Sequence, residues 1–251
     1  MRIGFIGTGR ITETCVKGLV GQGHQILITE RNRQIANQLV SNHTDVCISS
    51  VQGVVDGSDT VCLALMDEVA SEVLNEITFH ENHSVISFML GVNLDQLRVL
   101  CTPATDICIT IPLPMIATGG CPLPVYPASP ALDVLFGRNN LIIEVTNEAA
   151  LTPHFGATAM LSTVLSQLAV SAEWLGEHTG SNHAAETYLL SLMAGTFSSL
   201  PKDGNDRIGE ALGSLATEGG LNAQLRKHMQ DAGAERSLGE GLHALGRRLK
   251  L

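Results

Sequence analysis

Three residues near the start of the chain have the types and spacing to hold a phosphate. They are Gly7, Gly9 and Thr12, in the turn Gly7-Thr8-Gly9-Arg10-Ile11-Thr12. A short apolar run, Arg2 to Ile6, precedes the turn, and apolar residues at helical spacing follow it. Gly7 permits a tight turn, and Gly9 lets backbone approach a pyrophosphate. The helix opening here offers unpaired N–H groups and the positive end of its dipole. Thr12 replaces the third glycine of the G-x-G-x-x-G pattern, a position that serves helix–strand packing. Glu30 closes the second apolar run, at about the spacing of a carboxylate that binds ribose hydroxyls. Arg31, Asn32 and Arg33 come next. Glu30 favours NAD, whereas Arg31 or Arg33 suits the 2′-phosphate of NADP, so the cofactor is read as NAD or NADP without a preference. The remaining alternative is a glycine turn that binds no nucleotide.

Other ionisable residues are candidates for proton chemistry. His154 follows Pro153 near the start of a long apolar stretch. It could donate a proton to an imine nitrogen or carbonyl oxygen, or it could simply cap a surface turn. Tyr188 lies in an apolar helix, where its hydroxyl needs a partner; proton donor and core residue are both open. His178 and His183 flank the same helix. His183 and Glu186 have i, i+3 spacing, but no third ligand motif accompanies them, and no metal site is expected. Arg226, Lys227, Arg247, Arg248 and Lys250 suit helix-dipole complementation near C-termini.

Positioning these residues requires a strand–helix alternation. Strands are expected at Arg2 to Ile6, Gln25 to Thr29, Asp45 to Ile48, Asp59 to Leu65, Ser84 to Phe88, Asp106 to Ile111 and Leu141 to Val145. Helices are expected at Ile11 to Gln22, Arg31 to Val40, Asp67 to Ile77 and Leu94 to Leu100. This alternation predicts an α/β, doubly wound parallel sheet of Rossmann type. Six prolines between Pro112 and Pro130 predict loop and edge structure. From about Glu148 no strand pattern returns. Leu151 to Leu175 reads as one long apolar helix and Asn182 to Leu200 as a second. Shorter helices follow at Ile208 to Leu215, Leu221 to Asp231 and Leu238 to Leu249. The expected division is 1–147, binding NAD(P), and 148–251, an all-helical domain for dimerisation and substrate. The first two of these helices are apolar almost all round, which implies burial on every side. A second copy of the chain is the natural cover, giving a homodimer or a higher homo-oligomer.

Bulk properties bound the class of protein and leave a small anionic ligand possible. The net charge of −10 opposes a nucleic-acid partner. The 44% hydrophobic content supports a sizeable core, built from aliphatic residues because aromatics are only 4%. Six cysteines without CxxC spacing predict reduced, buried thiols in a cytoplasmic protein. No signal peptide is read, and no apolar run is expected to span a membrane.

The order of these features resembles the pyrroline-5-carboxylate reductase family over nearly the full length. GFIGTGRIT opens the chain, and VISFMLGVNLDQL follows the fifth strand. Within it, Ser87 to Leu97 is similar to the family's SIAAGVTLEQL. A Pro-rich segment and a helical domain come next, and Thr217-Glu218-Gly219-Gly220-Leu221-Asn222 resembles the carboxylate-binding SPGGTT. The resemblance implies further cofactor contacts at Leu65, Met66 and Gly91. It implies substrate contacts at Thr158, Ser162, Gly219, Gly220 and Asn222, with His154, Thr158 and Tyr188 as candidate catalytic groups. Four stretches depart from the family. AVKP becomes Ala64-Leu65-Met66-Asp67, and MPNTP becomes Ile111-Pro112-Leu113-Pro114. SGSGPAY becomes Phe155 to Leu161, without its serines, and the paired Thr of GGTT become Leu221 and Asn222. The cofactor half is kept, and much of the polar substrate half is apolar.

The implied activity is hydride transfer from NAD(P)H to a C=N or C=O group of a small imino or keto acid. Proline biosynthesis is the setting only if the family's own substrate is retained. Two alternatives stand beside it. One is a dehydrogenase of the 3-hydroxyacid or 6-phosphogluconate type, against which the absence of Lys from the long helix counts. The other is a nucleotide-binding sensor or partner protein that has lost catalysis.

Overall fold

The computed structural model describes residues 1–201 and 206–251, which fall into two compact units, Met1–Phe155 and Gly156–Leu251. The first carries eight strands: β1 Arg2–Ile6, β2 Gln25–Ile28, β3 Val46–Ile48, β4 Thr60–Leu63, β5 Ser84–Ser87, β6 Asp106–Thr110, β7 Pro122–Tyr126 and β8 Leu141–Glu144. They form one sheet in the order β3-β2-β1-β4-β5-β6-β7-β8. All neighbours are parallel except β6 and β7. The helices between strands are α1 Arg10–Leu19, α2 Arg33–Asn42, α3 Val51–Asp56, α4 Asp67–Asn75 and α5 Leu94–Leu100. A short α6, Pro130–Leu132, runs into a π-turn at Asp133–Gly137.

Alternation along the strands divides the core into two layers. Ile3, Phe5, Ile26, Ile28 and Cys62 pack with α1, α2 and the segment around Phe136. Ile6, Val61, Leu63 and Val85 pack with α3, α4 and α5. Helices on both faces explain why β4 is buried at every position and reads as a continuous apolar run.

The sequence expectations need correction at several points. A helix, α3, was not anticipated: it has six residues, of which only Val54 and Val55 are fully buried. The Pro-rich segment is not all loop and edge, because β7 lies between β6 and β8. Its ladder with β6 covers only Val125 and Tyr126. On its other side the carbonyls of Cys121 and Val125 accept from β8 and the residue after it. By two-residue alternation, Pro122 and Pro124 face β6 beyond the end of that ladder, where no N–H is demanded. Thr110 instead donates its hydroxyl to the Pro124 carbonyl at 2.8 Å.

The first unit extends eight residues past the expected boundary at 147. Glu148 Oε1 accepts the Leu94 N–H at 3.0 Å, and Leu151 is buried in the second core layer. The long helix is two: α7 Leu151–Ala157 and α8 Met160–Thr179. At the joint, Ala159 N–H donates to Gly156 and Leu161 N–H to Thr158, three-residue closures that interrupt the α-helical pattern.

The second unit is helical among its described residues. It contains α8, α9 Asn182–Ser199, α10 Arg207–Ser214, α11 Leu221–Asp231 and α12 Ala234–Arg248. α8 and α9 pair through Ala172, Gly176 and Ala185, which are buried. Much of their apolar surface is exposed in the single chain, with Leu165, Val170, Trp174, Leu190 and Phe197 each more than half exposed. Glu148–Thr179 includes an 18-residue window of mean hydropathy 1.3, long and apolar enough by composition to cross a bilayer. The expectation that no run reaches that length is therefore corrected.

Candidate nucleotide site

The candidate site sits on the C-terminal rim of the sheet, where the strand order reverses at β1 and β4. Helices leaving adjacent strands to opposite faces open a crevice there. Ladder bonds beyond the strand ends fix the rim on either side of the reversal. Thr29 N–H donates to Phe5 (3.1 Å), Ala64 N–H to Ile6 (2.8 Å) and Phe88 N–H to Leu63 (2.9 Å).

Gly7 adopts a φ of 96° at the end of β1, and a Cβ there would collide with the Ala64 carbonyl. Both the dihedral and the space demand glycine. Two threonines then lock the turn. Thr29 Oγ1 accepts the Gly7 N–H at 3.0 Å, while the Thr8 hydroxyl donates to the Thr29 carbonyl. Thr12, fully buried in the first turn of α1, donates its hydroxyl to the Gly7 carbonyl at 2.5 Å. The hydroxyl at the third-glycine position thus reinforces the turn as well as packing the helix. Thr29 was not singled out in the sequence, although a hydroxyl residue directly before the strand-end acid was the available signal.

Gly9 is the N-cap residue of α1 and makes no side-chain cap. Its missing Cβ faces open space. That space belongs to a cleft of about 610 Å³ lined by Gly7, Thr8, Gly9, Arg31, Ala64 and Met66, among others. A second cleft, about 560 Å³, shares Gly7 and Arg31 and adds Glu30, Ser49, Ser50 and Leu65. Open backbone at a helix N-terminus, with a largely apolar pocket on the β2–β3 side that carries Glu30, Arg31, Ser49 and Ser50, fits a dinucleotide's pyrophosphate and adenosine.

Most of the expected cofactor residues therefore share one rim. Arg10 and Ile11 open α1, with Arg10 exposed and Ile11 packed against the core. Glu30 stands just past β2, its carboxylate 3.9 Å from Arg33. The Asn32 side chain caps α2 by accepting the Ile35 N–H. Met66 is 56% exposed at the head of α4. Gly91 follows β5, and a Cβ on it would collide with the Asp67 carboxylate.

The remaining site residues are placed as follows. His154 lies on α7, exposed, its Nδ1 2.6 Å from the Ala150 carbonyl one turn back. Thr158 stands at the α7–α8 joint, and Ser162 donates to the Ala159 carbonyl at 3.2 Å. Tyr188 is 59% exposed on α9. Gly219 has a φ of 73°, and Gly220 is the N-cap residue of α11, so a glycine turn does open that helix with Asn222 in its first turn. A groove of about 770 Å³ runs among α8, α11 and α12, lined by Met160, Thr163, Arg226, Met229 and Leu238, among others. None of Thr158, Ser162, Gly219, Gly220 or Asn222 lines it.

Among the described residues no three His, Cys, Asp or Glu side chains are grouped to hold a metal ion. Five cysteines are buried, and Cys47, on β3, is exposed, contrary to the expectation for all six. Burial pushes the Cys101 and Cys108 thiols up to about 12, so they stay protonated.

Comparison with known proteins agrees with this geometry. Residues 2–91 match the family model described as NADP oxidoreductase, coenzyme F420-dependent. The chain superposes on pyrroline-5-carboxylate reductase from Streptococcus pyogenes with a TM-score of 0.80. The identity is 17%, over 100% of this chain and 98% of that one. Against the Plasmodium falciparum pyrroline carboxylate reductase with NADP bound, the TM-score is 0.81 at 13% identity, over 100% and 97%. The 3-hydroxyisobutyrate dehydrogenase of Mycobacterium tuberculosis gives 0.56 at 16% identity, over 70% and 66%. No curated protein matches the sequence. The fold is that of the pyrroline-5-carboxylate reductases.

Proposed function

We propose that this chain is an NAD(P)H-dependent reductase that delivers hydride to a C=N group, or to a C=O group, of a small imino or keto compound. The observation that carries the reading is the glycine turn locked by Thr12 and Thr29 beneath an open cleft at the strand-order reversal. The full-length fold similarity supports it. Gly7, Thr8, Gly9 and the first turn of α1 hold the pyrophosphate, and Glu30 with Arg31 flanks the adenosine ribose. Leu65, Met66 and Gly91 flank the nicotinamide. When bound, the cofactor supplies the hydride, and the protein supplies position and electrostatics. The protein's part in the transfer would be to hold the substrate and give a proton to its nitrogen or oxygen, completing the amine or alcohol. His154, Thr158 and Tyr188 are carried as candidate proton donors. Gly219, Gly220, Asn222, Thr158 and Ser162 are carried as substrate contacts.

The substrate differs from pyrroline-5-carboxylate in this reading. A site that hydrogen-bonds a polar substrate rejects analogues strongly, so loss of those donors marks a changed substrate. Leu113 and Leu221 stand where the resembled family has polar residues. We further propose a homodimer in which a second copy covers α8 and α9. The dehydrogenase alternative is disfavoured by its lower and partial superposition.

The test is coenzyme binding followed by turnover. NADH and NADPH fluorescence titrations are expected to show micromolar binding of at least one. Turnover is expected with some member of a panel of imines and keto acids, and weakly or not at all with pyrroline-5-carboxylate. Failure to bind either coenzyme overturns the reading. Binding with no turnover across the panel favours a nucleotide-binding protein without catalysis, a reading that the replaced polar motifs also support.

A further inference from the structure

The charge of the first unit is unevenly distributed around the proposed nicotinamide site. Between Arg33 and Arg98 the chain contains nine Asp and Glu and no Lys or Arg. That stretch carries nine of the ten units of formal net negative charge. It builds β3, β4, β5 and the helices between them. The cations of the rim, Arg10, Arg31 and Arg33, all lie on the adenosine side, before or just after β2.

One carboxylate within this stretch is placed on the rim itself. Asp67 begins α4, directly after Met66, which lines the cleft. Its carboxylate lies against the α-carbon of Gly91, at a spot that any side chain on residue 91 would occupy. Asp67 forms no ion pair or hydrogen bond with the described residues. The loops after β4 and β5 belong to the second mononucleotide half of a doubly wound sheet, the half that takes the nicotinamide. A negative group thus stands on the rim beside Gly91, where the ring is expected to lie, and no cation among the described residues pairs with it.

We propose that Asp67, seated on Gly91, tunes this site toward the oxidised, cationic nicotinamide and so favours hydride donation. The proposal rests on the reductase reading above. The reduced ring is neutral, and loss of hydride leaves it with a positive charge. A carboxylate near that charge stabilises the oxidised ring, and the transition state leading to it, more than it affects the neutral form. Its effect is a difference between two redox states of one ligand. A residue with a purely structural role would change both affinities together.

The experiment measures dissociation constants for the oxidised and reduced forms of whichever coenzyme binds, using wild type, Asp67→Asn and Gly91→Ala. For Asp67→Asn we expect binding of the oxidised form to weaken about three- to tenfold, with the reduced form changed less than about twofold, as befits one partly screened charge. Gly91→Ala, which must displace the carboxylate, is expected to shift the ratio in the same direction. Raising ionic strength on the wild type should compress the ratio of the two affinities, an arm that needs no variant to fold. An unchanged ratio in Asp67→Asn, equal weakening of both forms, or a salt-independent wild-type ratio overturns the proposal and leaves the reductase reading standing. A wild type that binds neither form overturns both.

Discussion

At the scale of single residues, the turn after β1 combines a backbone constraint with a hydroxyl lock. Gly7→Ala places a Cβ on a left-handed backbone and against the Ala64 carbonyl. It is expected to cost at least about 1 kcal/mol from the dihedral alone. Urea denaturation checks the stability, and fluorescence titration should show coenzyme binding lost with it. Thr12→Val keeps the shape and removes the buried donor to the Gly7 carbonyl. We expect about 1–2 kcal/mol of destabilisation by urea denaturation. The glycines and Glu30 were legible because their spacing follows from phosphate and ribose geometry. Thr29 was not, because its role depends on the register of β2 against β1, which brings its hydroxyl to the Gly7 N–H.

A pH dependence also arises at this scale, away from the nucleotide rim. His83 is 2% exposed, and its Nδ1 accepts the His80 N–H at 3.1 Å. Burial, and then the neighbouring His80, hold its pKa below the ordinary value near 6.5; the Ser58 backbone, Asp56 and Asp59 oppose this more weakly. The unfolded chain therefore takes the proton first as pH falls. The associated stability is complete above about pH 6.5 and is lost as pH falls from there toward the lowered folded value. Urea midpoints at pH 7.5 and 5.5 should fall on acidification for the wild type, and His83→Gln should flatten the difference.

At the scale of elements, every strand but β7 was legible in the sequence, and the short helix α3 was not. β1 to β6 and β8 were readable as apolar runs ending at turns. α3 was missed because one and a half turns show too little periodicity. β7 was misread because proline is expected to end a strand, and only the short ladder with β6 makes Pro122 and Pro124 harmless. The break at Thr158–Ala159 has no breaker residue of its own and appears only in the backbone bonding. α5 shows a cap that sequence can reveal. The Asn93 side chain accepts the Gln96 N–H, and Gln96 returns the bond to Asn93. Asn93→Ala is expected to destabilise the first unit by about 1 kcal/mol, read from its urea midpoint.

At the scale of the whole molecule, the helical unit leaves a large aliphatic surface exposed on a single chain. α8 and α9 fully bury only small residues and leave Leu165, Val170, Leu190 and Phe197 more than half exposed. Their all-round apolar character was legible in the sequence, but burial by this chain's own second unit was not what followed from it. Sedimentation is expected to give the mass of two chains or a multiple of it. Leu165→Glu together with Leu190→Glu should shift the protein to the one-chain mass at micromolar concentration. A wild-type mass of one chain would contradict the proposed dimer.

The exposed thiol on β3 gives the protein a built-in reporter. Five of the six cysteines are shut inside the first unit, so a brief reaction of the folded protein with a maleimide dye should modify Cys47 alone. Ile48, Ser49 and Ser50, the next residues along the chain, line the cleft assigned to the adenosine ribose. A fluorophore attached at Cys47 would sit beside that cleft and should change its emission when it fills. Coenzyme occupancy could then be followed optically, with oxidised and reduced forms read on the same scale and no cysteine introduced or removed.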